Sequence, residues 1–266
     1  MMEENLQQNK NPDAVPWNIW DIVKGAAVAI AITLVLGIAM GFGMIALVGI
    51  TELQDIVTQD LTSSELIQAI IDALEANGKL NMTLAFMFLF MLLGEGAMPL
   101  GTWLFGVRKY RCGWGTLGFR KFDVGRGLLL VLLVTLLGLG ISIGYEFLLE
   151  YLGWEDSSNI YAPFDENGLG IAFFAITAVV VAPLAEEIFF RGFLFQGIGK
   201  RLKFAWAAII SAAVFAVAHF SPAGLVPIFI LGLLLAWLFN KTKSVWPCIM
   251  VHAAYNSIAL IFMIIS

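Results

Sequence analysis

The sequence predicts an all-α fold, a polytopic transmembrane helical bundle of about seven spans. Three observations predict it. Hydrophobic residues make up 60% of the 266 and charged residues only 13%, against roughly 25% charged in a soluble domain. Seven apolar runs, 25–50, 84–107, 127–152, 169–196, 204–220, 224–240 and 245–265, meet or approach the roughly 20 residues a helix needs to cross the hydrocarbon core. Threading these runs puts thirteen of the fifteen basic residues on one side of the membrane. The composition excludes a soluble globule and a disordered chain. A net charge of −5 without a basic stripe argues against nucleic acid as a partner. Two cysteines, Cys112 and Cys248, exclude a disulfide framework and a cysteine-based metal site.

The first run is too long for the apolar stretch of a signal peptide, and 24 residues precede it. Trp17 and Trp20 stand just before it and suit an interfacial anchor. Lys10 and Lys24 flank the same end. Arg108, Lys109, Arg111, Arg120, Lys121 and Arg126 fill the loop after the second run. Lys200, Arg201 and Lys203 follow the fourth, and Lys241 and Lys243 follow the sixth. Only Lys79 falls on the opposite side, and Arg191 lies within a span. The positive-inside rule then places the N-terminus in the cytoplasm and the C-terminus outside. The fifth and sixth runs are short, so either could be re-entrant or broken.

Residues 51–80 form an acidic outer loop with Glu52, Asp55, Asp60, Glu65, Asp72 and Glu75. An amphipathic helix over 62–77 is expected there. Thr62 and Glu65 fit a capping box, Leu61 and Leu66 a hydrophobic staple, and Asn77-Gly78 a helix stop. Leu66, Ile67, Ile70, Ile71 and Leu74 share one face. Such a helix lies on the outer membrane surface or on the end of the bundle, with a partner-docking helix as the alternative.

Ionisable residues within spans are costly, roughly 2.5–3.5 kcal/mol each at the bilayer centre, so they mark function. The fourth run contains Glu186-Glu187 and then Arg191. Glu187 and Arg191, at i and i+4, can pair along one face. Glu186 then points elsewhere without a local partner, free for proton chemistry. The fifth run holds Phe215 and His219 one turn apart, and the seventh His252 and Asn256 on one face. These are the only two histidines, and both occupy predicted spans. Counted from the turn near Lys200, Glu186 is about 21 Å up its helix and His219 about 27 Å up the next, while His252 is only about 12 Å above the Lys243 turn. Whether His252 reaches the others is left open by this count. Glu95, between Gly94 and Gly96 in the second span, is placed to line the same cavity or to pair with a basic group. Glu146 and Glu150 lie toward the outer end of the third.

The ordered set Glu186-Glu187-x-x-x-Arg191, Phe215-x-x-x-His219 and His252-x-x-x-Asn256 resembles the CPBP family of intramembrane proteases. That family, also called Abi or CAAX-protease-like, includes CAAX prenyl endopeptidases and bacteriocin-processing or self-immunity proteins. The resemblance covers residues 165–266 and implies a catalytic core in the last four spans. Residues 1–164 are then a variable N-terminal transmembrane region. The resemblance implies glutamate-dependent hydrolysis of a membrane-associated or lipid-modified peptide. Glu186 would be the general base and, with His219, would activate a water. His252 and Asn256 would form the oxyanion hole, and Glu187, Arg191 and Phe215 would support them. No cofactor is implied, although Glu186, His219 and His252 form the N/N/O set that elsewhere holds catalytic zinc. No His-Glu-x-x-His helix accompanies that set.

Two other classes compete with the enzyme reading. One is a non-catalytic membrane scaffold or bacteriocin self-immunity protein of the same fold. The other is a proton-coupled transporter, for which paired broken helices in the two halves are expected and not found. The expected partners are membrane lipid and a membrane-associated peptide or protein. The compact chain, the basic inner loops and the lack of an organelle signal point to a prokaryotic cell membrane.

Overall fold

A computed structural model describes residues 15–59, 61–154 and 168–265. Lys10, Asp60 and the expected 164/165 boundary lie outside the described residues. Nine helices follow in order among them: α1 Ile19–Val48, α2 Ile50–Val57, α3 Ser63–Ala76, α4 Leu80–Arg108, α5 Val124–Tyr151, α6 Gly168–Gly199, α7 Phe204–Ala218, α8 Leu225–Thr242 and α9 Trp246–Ile265. Five of these, α1, α4, α5, α6 and α8, are long and apolar enough to cross a membrane, and α7 and α9 are apolar as well. The chain is therefore an all-α, multi-pass membrane protein. Each of the seven expected runs is a helix; α7, at 15 residues, is shorter than a full span, and α9 is 20 residues long.

The shortest run ends for a local reason. His219 caps α7, and Phe220 takes a left-handed φ of 50°. Pro222 follows, and a proline cannot continue a helix from within it. His219 therefore stands at a helix end, not inside a span.

α3 matches the expected amphipathic helix. The Thr62 hydroxyl accepts from the Glu65 N–H, and the Glu65 carboxylate accepts from the Thr62 N–H at 2.8 Å. The Thr62 hydroxyl and then its backbone N–H hold the Glu65 carboxyl below the ordinary glutamate range. A depressed carboxyl contributes its stability above the unfolded value and loses it as pH falls through the folded value. At the other end Lys79 N–H donates to Leu74 O and Gly78 N–H to Glu75 O, both at 2.8 Å, with Gly78 at φ 64°. Those two bonds satisfy the last carbonyls as a Schellman motif. The apolar face of α3 covers Met44 of α1 with Leu84 and Met87 of α4, and Leu74 is 3% exposed. α3 thus sits on the end of the bundle.

The tryptophan expectation is corrected for one residue. Trp20 is 70% exposed and suits an interfacial anchor, whereas Trp17 is completely buried. Its indole N–H donates to Phe193 O at 3.0 Å, and its ring packs on the Phe193 ring. A bulky indole buries well once its one polar atom finds an acceptor. The start of α1 is also tied down by Asp21, whose carboxylate accepts from Lys109 Nζ at 2.5 Å and from the Tyr110 hydroxyl at 2.6 Å.

Small residues let the helices touch. Gly25 of α1 faces Gly101 of α4, backbone against backbone. Gly232 of α8 faces Ala212 of α7. With little hydrophobic driving force in lipid, such close approach is how helix pairs gain packing energy. A Cβ on Gly232 would stand 3.0 Å from Ala212 Cα and 3.3 Å from the Phe215 ring. Gly232→Val is expected to push α7 off α8, to cost about 1–3 kcal/mol, and to move His219 away from the cluster described below. Thermal unfolding in detergent and the activity assay check both effects.

Candidate active site

α6 does not wind uniformly. Its backbone widens to π-helical turns at Thr177–Val181 and again at Ile188–Phe195. Pro183 supplies a cause for the first. It has no N–H for the carbonyl four residues back, Val179, which lies inside the widened stretch. Widened turns leave carbonyls short of helical donors, and such turns occur frequently at functional sites. Here side chains supply donors, three of the four from outside α6. The Ser211 hydroxyl donates to Phe190 O at 3.2 Å and Gln196 Nε2 to Gly192 O at 2.7 Å. Trp17 donates to Phe193 O, and Asn256 Nδ2 donates to Ala178 O at 2.7 Å. The segment that carries Glu186, Glu187 and Arg191 is thus clamped by Trp17 just before α1, by α7 and by α9.

Glu187 and Arg191 make the i,i+4 pair that their spacing implies. Arg191 donates from Nη1 to Glu187 Oε1 at 2.7 Å, with both side chains fully buried. Arg191 Nη2 reaches Gly232 O at 3.4 Å, and its guanidinium lies 4.3 Å from the Phe215 ring centre. Glu187 Oε1 also accepts from His252 Nδ1 at 3.1 Å. One carboxylate oxygen therefore ties α6 to α9. A second anchor is Phe215, whose ring lies edge-on to both histidines, 4.6 Å from His219 and 5.7 Å from His252.

The two imidazoles converge on Glu186. Its Oε2 lies 3.7 Å from His219 Nε2 and 3.9 Å from His252 Nε2. His219 Nδ1 faces Phe215 O at 2.7 Å. A carbonyl only accepts, so Nδ1 carries the proton and a neutral His219 turns a lone pair toward Glu186. Glu186 is 9% exposed, and its Oε2 has no hydrogen-bond partner. It lines a cavity of about 490 Å³ together with Glu95, His219, His252, Tyr255 and Asn256. That size is typical of a site for a small molecule or a peptide segment. The cavity continues past Met91, Phe174 and Leu260, away from the basic loops.

His252 thus joins the others despite its shorter count from the Lys243 turn. Lys243 lines the same cleft as Phe195, Gln196 and Gly199, and the Phe195 and Phe239 rings lie 5.9 Å apart. The two turns sit at similar heights, and the π-helical stretch 188–195 climbs less per residue than an α-helix. Ser244 Oγ donates to Arg120 O and Val245 N–H to Gly118 O, pinning the α8–α9 turn to the loop before α5.

Glu146 and Glu150 are exposed on α5 and do not line this cavity. Two cavity residues escaped the reading of the sequence. Tyr255, whose hydroxyl shares a hydrogen bond with Ser142 of α5, lies inside the His252–Asn256 motif. Thr177 lies in the first widened turn. Pro183 was the signal for that turn. Cys112 and Cys248 are free thiols, and among the described residues no group of three His, Cys, Asp or Glu stands in metal-holding geometry.

Residues 168–258 match the family model described as type II CAAX prenyl endopeptidase Rce1-like. The chain is 28% identical over 128 residues to a Bacillus subtilis protein named "Putative membrane peptidase YdiL", covering 48% of this chain and 52% of that one. It is 30% identical over 79 residues to the Lactococcus lactis "UPF0177 protein YxdF", covering 29% of this chain and 42% of that one. The matches therefore span about half the length of these relatives or less. No solved structure matches. The C-terminal part of the chain, from α6 into α9, is similar to the Rce1-like type II CAAX prenyl endopeptidases. That similarity supports a CAAX-type intramembrane protease kind of function.

Proposed function

We propose that the protein is an intramembrane endopeptidase that hydrolyses a peptide bond of a membrane-associated or lipid-modified peptide. The observation that carries this reading is the unpartnered Glu186 Oε2, facing two histidine Nε2 atoms at 3.7 and 3.9 Å on a cavity wall. Gaps of that length suit a bridging water. In the proposed reaction Glu186 takes a proton from this water while its oxygen bonds to the carbonyl carbon. The proton then passes to the departing nitrogen as the C–N bond breaks. His219 holds the water through Nε2, its orientation fixed by Phe215.

The oxyanion requires donors. Asn256 keeps a second amide hydrogen beyond the one given to Ala178 O. His252 gives Nδ1 to Glu187 and turns Nε2 to the cavity, where it serves as an oxyanion donor when it carries a proton there. Each such donor is typically worth about 2.7–4 kcal/mol. We assign the N-terminus to the cytoplasm and the C-terminus to the outside from the charge of the loops, and the membrane to a prokaryotic cell.

The test is cleavage of a pooled library of hydrophobic and lipidated peptides by purified protein in liposomes. Wild type is expected to cut, and His219→Ala to lose about 10²–10⁴-fold in rate. Chelator is expected to leave the rate unchanged. Loss with chelator would make Glu186, His219 and His252 a zinc site instead. No cleavage by wild type, with a Glu186→Gln variant still active in the cell, would favour the scaffold or immunity reading.

A further inference from the structure

The hydrolysis just described uses one carboxyl of the cavity and leaves another idle. Glu95 belongs to α4, outside the stretch that matches the family model, yet it lines the same cavity as Glu186. Its Oε2 has no hydrogen-bond partner, and no cation among the described residues pairs with it. Arg191, the cation of the cluster, is already held by Glu187 and Gly232 O. Glu186 is buried and equally unpartnered on Oε2, and the cavity lining holds these two carboxyls and no lysine or arginine. Two like acids in a poorly polarisable space resist ionising together, and a bound cation relieves that cost.

We propose that Glu95 determines specificity by receiving a cationic group of the substrate, a lysine or arginine side chain close to the scissile bond. This rests on the hydrolase reading. A peptide with its reacting carbonyl at Glu186 places a nearby residue within the same cavity as Glu95. The substrate class is therefore a basic peptide, and the N-terminal region contributes selection to a core shared with the family.

The experiment compares peptides that differ only by lysine or norleucine at each position around the cut, using the full chain in liposomes. Wild type is expected to favour lysine at one position by about tenfold or more in kcat/KM. Glu95→Gln is expected to bring that ratio toward one, while Glu95→Asp keeps it. A wild type with no preference for lysine at any position overturns the proposal, as does a preference that survives in Glu95→Gln. If wild type cuts no peptide, the hydrolase reading fails. Binding of the same peptides to protein in nanodiscs then decides the role of Glu95. A lysine preference lost in Glu95→Gln supports it, and equal binding of both peptides overturns it.

Discussion

Glu186→Gln is expected to lower peptide hydrolysis by about 10²–10⁴-fold while the protein stays folded. Gln keeps the shape of the side chain and removes its ability to take a proton. Nothing structural hangs on the lost oxygen, because Glu186 Oε2 makes no hydrogen bond. Replacing an unpartnered buried carboxyl by an amide removes a desolvation cost, so the melting temperature should hold or rise. The contrast with Glu187 is the useful part. Glu187 is fully buried and bonded to Arg191 and His252, so its loss should be read in stability before it is read in rate. Paired measurements of rate and melting temperature on the two adjacent variants separate the acting acid from the holding one.

Arg191→Met is expected to destabilise the protein by about 3–5 kcal/mol. The guanidinium is completely buried and touches three things at once: Glu187 Oε1, Gly232 O and the face of Phe215. Without it a buried carboxylate has no counter-charge, and α6 loses its tie to α8. A lysine cannot restore this, because a point charge does not match a planar fork that both pairs and stacks. The double variant Glu187→Gln/Arg191→Met should recover part of the loss, since it removes both charges together. Thermal unfolding in detergent measures each form. Recovery in the double variant identifies the unpaired charge, and not lost packing, as the main cost.

Much of this was legible in the sequence, because lipid penalises every polar group and leaves the few that remain easy to see. The seven runs, the capped α3 and the i,i+4 pairing of Glu187 with Arg191 follow from periodicity and spacing alone. Trp17 was not legible, since an indole next to a span reads as an interfacial anchor. Its burial depends on a carbonyl set free by a widened turn 176 residues away. The convergence of His252 was equally hidden. A count at a constant 1.5 Å per residue assumes an ideal α-helix, and the π-helical stretches of α6 violate it. The role of Asn256 in holding Ala178 O depends on the same irregularity. Glu95 could be noticed between its two glycines, but only the packing of α4 against α6 places it on the cavity wall.

The central claim is that water, activated by Glu186 and His219, attacks the peptide directly. A single turnover in H₂¹⁸O tests it most directly. The account predicts one ¹⁸O in the new carboxyl group of the product and none in the enzyme peptide that contains Glu186. Label in Glu186 would mean that its carboxylate attacked first and formed an anhydride with the substrate, and the general-base account would be wrong.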